Sequence, residues 1–104
     1  MTSGNPPSAQ ADAAEVDRRI NEIRERMDAL DSRLVALLNE RASCAKEIGQ
    51  LKDTVGLEVY QPKREIEVLN RVRARNGGPL DANAITRLFE RIIDEARRLE
   101  RSVG

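Results

Sequence analysis

Between Ala9 and Gln61 the chain contains no proline, and from Ile20 onward its apolar residues recur every three or four positions: Ile23, Met27, Leu30, Leu34 and Leu37, then Cys44, Ile48, Leu51 and Val55. A heptad pattern sustained this far predicts one very long helix with a single apolar seam, weakened only by Gly49 and Gly56. With Asp12 or Asp17 as its N-terminal cap, the helix is expected at about residues 13–53. At 1.5 Å per residue it is roughly 60 Å long, too long for the rest of so short a chain to wrap. A second copy of the chain is therefore expected to cover the seam.

The remainder is read in the same way. A loop holding Gly56 follows, and Gln61-Pro62 opens a second helix at about 61–76, because proline at the first helical position lacks only an N–H that would have had no partner. Ile66, Leu69 and Val72 form its apolar stripe. Asn76-Gly77-Gly78-Pro79 ends it, with the glycines expected to supply a left-handed cap. Asp81 is expected to cap a third helix at about 81–102, whose wide apolar face carries Ile85, Leu88, Phe89, Ile92, Ile93, Ala96, Leu99 and Val103. Ala, Glu, Lys, Leu and Arg supply 51 of the 104 residues, the composition of long helices. The expected fold is all-α, with three helices in one domain over 13–104 behind a polar, Pro/Gly-rich and disordered tail over 1–12.

Several function classes are excluded. A length of 104 residues holds one domain, not a bifunctional enzyme. Lys and Arg number 18, as do Asp and Glu, so no net charge would draw the protein onto nucleic acid or an anionic membrane. One Tyr, one Phe and no Trp leave little for base stacking. Without histidine, and with Cys44 as the only cysteine, the chain cannot build a His/Cys zinc site, a Cys-His pair, a Ser-His-acid triad or an internal disulfide. No metal and no cofactor are expected. The polar start lacks a basic, apolar leader, and no apolar run reaches the roughly 18 residues of a membrane span, which points to the cytoplasm.

One residue breaks the seam. Arg41 occupies a position where every other member is apolar, and an unpaired buried guanidinium costs several kcal/mol, so an anion is expected to meet it. A partner-chain Glu would serve, as would a ligand, or the side chain could snorkel out of the seam. Arg24 and Lys52 flank the seam toward the two ends of the same face. Lys52 is about 16 Å along the axis from Arg41, a gap that two long side chains can close around a small dianion, whereas Arg24 is some 42 Å from Lys52. If two copies pair antiparallel about a centre near residue 35, Arg24 of one falls opposite residue 46 of the other. Two composite cationic pockets result, each able to hold two carboxylates and to stabilise negative charge growing on an oxygen. That suits a reaction needing only restraint and electrostatics.

Four segments carry a more specific signal: Ile23-Arg24-Glu25-Arg26-Met27-Asp28-Ala29-Leu30-Asp31, Leu37-Leu38-Asn39-Glu40-Arg41, Ile48-Gly49-Gln50-Leu51-Lys52 and Val59-Tyr60-Gln61-Pro62-Lys63-Arg64-Glu65. With Ile85-Thr86-Arg87-Leu88-Phe89 and Ile92-Ile93, their order and spacing over about residues 16–101 resemble the all-helical chorismate mutase family, in particular the mutase domain fused to prephenate dehydratase in other proteins. The resemblance implies an intertwined antiparallel homodimer that rearranges chorismate to prephenate on the route to phenylalanine and tyrosine. It also implies residue roles. Arg24 of one chain and Arg41 of the other match the pair that grips the substrate carboxylates. Lys52 matches the lysine beside the ether oxygen and a carboxylate, Glu65 the acceptor of the substrate hydroxyl, and Glu100 a Gln or Glu facing the ether oxygen. Gln61 stands where an acid is often found and Ala96 where a hydroxyl residue can sit.

Two other readings share these residues. Isochorismate-pyruvate lyase uses the same scaffold and much of the same cationic site. A non-catalytic helical dimerisation module would explain the heptads and the zero net charge, but leaves Arg41 unexplained.

Overall fold

A computed structural model of the chain describes residues 9–102, and every regular element among them is an α-helix. They are α1 (Ala9–Val55), α2 (Pro62–Arg75) and α3 (Ala82–Ser102). The chain divides into two units, one up to Leu38 and one from Asn39 onward.

α1 has 47 residues and begins at Ala9, before the expected residue 13. Ala9, Ala11, Ala13 and Ala14 are strong helix formers, so the helix extends past both acids offered as caps, and Asp12 lies within the first turn, where the helix dipole favours an anion. Residues 9–12 of the expected tail are therefore helical, and residues 1–8 lie outside the described part, as does Val103. Arg18 bridges Glu15 at 2.6 Å and pairs with Glu22 on the next turn. Ser32 and Ser43 turn their hydroxyls back to the carbonyls of Asp28 and Asn39 one turn earlier, so both are satisfied inside the helix. In the first unit Val16, Ile20, Ile23, Met27, Leu30, Leu34 and Leu37 are all exposed, so the seam is uncovered in the single chain.

α1 stops at a left-handed turn. Gly56 has φ +70°, and the Leu57 N–H reaches back to the Lys52 carbonyl at 2.9 Å, closing the last turn of the helix. Pro62 then starts α2, whose early N–H groups from Arg64 and Glu65 donate to the Gln61 carbonyl at 3.1 and 3.3 Å. The end of α2 differs from expectation. Asn76 is extended, and the positive φ falls two residues later, at Gly78 (+76°). The Asn76 side chain organises the turn instead, donating to the Leu80 carbonyl at 2.6 Å and accepting from the Gly78 N–H at 3.1 Å. Asp81 caps α3 as its position suggests, its Oδ1 accepting from the Ala84 N–H at 2.7 Å.

The core of the second unit is small and takes one residue from each helix: Ala45 of α1, Val68 of α2 and Ile93 of α3. Close approach is possible because Gly49 has no side chain. A Cβ there would stand 2.8 Å from the Glu100 Cα and 2.9 Å from its carbonyl oxygen, both backbone atoms that cannot swing aside.

Candidate active site

On this core the three helices form an open cavity of about 440 Å³, floored by Ala45, Val68 and Ile93. Six of the seven residues singled out in the sequence line it: Arg41 and Lys52 from α1, Gln61 at the start of α2, Glu65 from α2, and Ala96 and Glu100 from α3. Arg24 is not among its lining residues; it is exposed on α1, in the first unit.

Lys52 sits in the last turn of α1, where the carbonyl end of the helix favours a cation. Because the chain reverses at Gly56, the Val59 carbonyl returns to accept from Lys52 Nζ at 3.1 Å. Glu100 Oε2 accepts from the same ammonium at 3.3 Å, and each side chain is only 12% exposed. The contact between Gly49 and the Glu100 backbone brings these two groups into register.

Arg41 is half-buried and makes no ion pair among the described residues. The anion that its place in the seam calls for is thus not supplied by the described residues. Around it, the cavity wall holds Lys52, Arg64 and Arg97 as further cations against two carboxylates, Glu65 and Glu100. Four cations against two anions leave a local excess of two positive charges in a chain whose overall charge is zero.

Arg97 escaped the sequence reading. Its guanidinium grips Glu65, with Nη2 at 2.8 Å from Oε1 and 2.6 Å from Oε2 and Nε at 3.2 Å from Oε2, and its Cζ lies 5.0 Å from the centre of the Tyr60 ring. The Glu65 hydrogen bonds hold the guanidinium above its usual range, outweighing the opposing effect of desolvation. Arg97 follows Ile93 by four residues and precedes Glu100 by three, so helical spacing alone puts a charge on the face that meets the core. Gln61 caps α2 through its carbonyl and not its side chain. Ala96 lies inside α3, where the helix ladder engages its N–H, so it offers the cavity the room left by a methyl group.

To a small anion this arrangement offers the guanidinium of Arg41, an ammonium held at a fixed point at Lys52 and a carboxylate acceptor at Glu65. No helix among the described residues is long and apolar enough to cross a membrane.

Comparison with known proteins gives a consistent picture. The sequence model of the family described as chorismate mutase type II matches residues 23–101. A bifunctional chorismate mutase/prephenate dehydratase from Neisseria gonorrhoeae is 40% identical over 86 residues, covering 83% of this chain and 23% of that protein. The chain spans about a quarter of the length of such bifunctional relatives. A chorismate mutase from Methanocaldococcus jannaschii is 27% identical over 84 residues, covering 80% of this chain and 85% of that protein. Among solved structures, chorismate mutase (form II) from Thermus thermophilus superposes with a TM-score of 0.78 at 37% identity, covering 80% of this chain and 94% of that one. The Helicobacter pylori chorismate mutase in complex with prephenate gives 0.76 at 28%, covering 83% and 93%.

Proposed function

This chain belongs to the chorismate mutase type II family, and from that premise we propose that it catalyses the rearrangement of chorismate to prephenate, in the cytoplasm, on the route to phenylalanine and tyrosine. The observation that carries the proposal is Arg41, a half-buried cation with no ion-pair partner among the described residues, facing the same cavity as a rigidly held Lys52.

The rearrangement is pericyclic. One C–O bond breaks as one C–C bond forms, no proton or electron passes to the enzyme, and negative charge gathers on the departing ether oxygen. A catalyst therefore needs to hold the substrate folded and to place positive charge or hydrogen-bond donors at that oxygen. Arg41 grips one substrate carboxylate. Lys52, held by the Val59 carbonyl and Glu100, turns its third N–H toward the ether oxygen and a carboxylate. Glu100 keeps Lys52 at that point. Glu65 accepts from the substrate hydroxyl, Gln61 hydrogen-bonds at the rim, and Ala96 bounds the space.

The active form is an intertwined antiparallel homodimer. Its support is the uncovered seam from Val16 to Leu37, far more apolar surface than a soluble monomer exposes. Arg24 of the partner chain then completes the grip on the second carboxylate.

Incubating the purified protein separately with chorismate and with isochorismate, and identifying the products, tests the reading. Prephenate from chorismate is expected. Release of pyruvate from isochorismate, with chorismate untouched, would assign the scaffold to lyase chemistry instead, and no turnover of either would leave it a dimerisation module.

A further inference from the structure

Arg97 is a charged residue of the cavity wall that the proposed chemistry does not use. Its Nη2 and Nε donate to Glu65, and its Nη1 lies at ion-pair distance, 3.6 Å, from Asp94. A carboxylate has about four acceptor sites. Arg97 occupies two on Oε2 and one on Oε1, so the site left open is on Oε1. The guanidinium also stacks on Tyr60, the neighbour of Val59, whose carbonyl anchors Lys52. One side chain thus ties α3 to α2 and to the loop between α1 and α2.

Resting on the mutase reading, we infer that Arg97 is a positioning residue acting through Glu65. It fixes the carboxylate so that a single acceptor site on Oε1 faces the substrate hydroxyl. A planar fork can do this, and a point charge cannot.

The test is a double-mutant cycle on chorismate turnover with Arg97→Ala, Glu65→Gln and the combination. Arg97→Ala is expected to lower kcat/KM on the order of tenfold to a hundredfold, the penalty of a misplaced contact group. In the Glu65→Gln background the same change should cost nothing further. Added guanidinium ion should restore part of the activity of Arg97→Ala and none of that of the double variant, a response that a purely structural role would not give. Should Arg97→Ala fail to fold, Arg97→Lys keeps the charge without the fork and is expected to show an intermediate loss with the same non-multiplicative pattern. Losses that multiply, or a Glu65→Gln variant as active as the parent, would overturn the inference. A parent inert toward chorismate would sink the mutase reading itself, so the two failures are distinguishable.

Discussion

An ammonium fixed by the Val59 carbonyl at 3.1 Å and by Glu100 at 3.3 Å has little freedom left, and preorganised charge of this kind is worth about 3–4 kcal/mol of barrier per donor. Lys52→Ala should therefore lower kcat by roughly a hundredfold or more while the helices stay folded, as circular dichroism would report. Lys52→Arg should fail nearly as badly, because a planar guanidinium cannot occupy the point between an ether oxygen and a carboxylate. Glu100 is the second test at this scale. A carboxylate at this position faces the growing charge, whereas an amide there donates a hydrogen bond to it, so Glu100→Gln is expected to keep or raise kcat/KM. A large loss of kcat/KM in Glu100→Gln would make Glu100 no more than the partner of Lys52. Arg41 was legible in the sequence because a charge in an apolar seam stands out. Arg97 was not: it lies among Arg98, Leu99, Glu100 and Arg101, where charges are common, and only its four-residue step from Ile93 sets it apart.

At the level of elements, the site depends on how closely α3 approaches α1. The crossing is at Gly49, where any Cβ would meet the Glu100 backbone at 2.8 Å, a separation real contacts do not reach. Gly49→Ala must push the helices apart and draw Glu100 away from Lys52. It should destabilise the fold by about 1–3 kcal/mol in chemical denaturation, the usual cost of overpacking, and should lose turnover beyond what that destabilisation explains. Full activity in Gly49→Ala would mean that the Lys52–Glu100 contact does not matter to the reaction. Periodicity locates three helices but not their core: of Ala45, Val68 and Ile93 only Ile93 lies on a face read from the sequence, while Ile48, Leu51 and Val55 of the seam, Ile66 of the α2 stripe and Leu88 of the α3 face are exposed in the single chain. The helix ends are less legible, since local chemistry competes there. Alanines carry α1 past its candidate caps, and the Asn76 side chain takes over the turn that two glycines were expected to make. Gly49 reads in sequence as a weakness in a helix; only the crossing with Glu100 shows what its missing side chain allows.

For the whole molecule, the described residues of one chain hold a core of three buried apolar side chains and a cavity whose Arg41 meets no anion among them, while the apolar seam of the first unit lies open. Heptad spacing in the sequence calls for a second chain, and the cation spacing along the first helix would bring Arg24 of one copy toward Arg41 and Lys52 of the other. The central claim, a chorismate-rearranging site completed across two chains, is tested most directly by complementation. An Arg24→Ala chain and a Lys52→Ala chain, each inactive alone, are mixed under conditions of verified subunit exchange. In the mixed dimer one site receives both lesions and the other receives neither, so chorismate turnover should return. Activity that stays at the level of the parents would contradict the shared site.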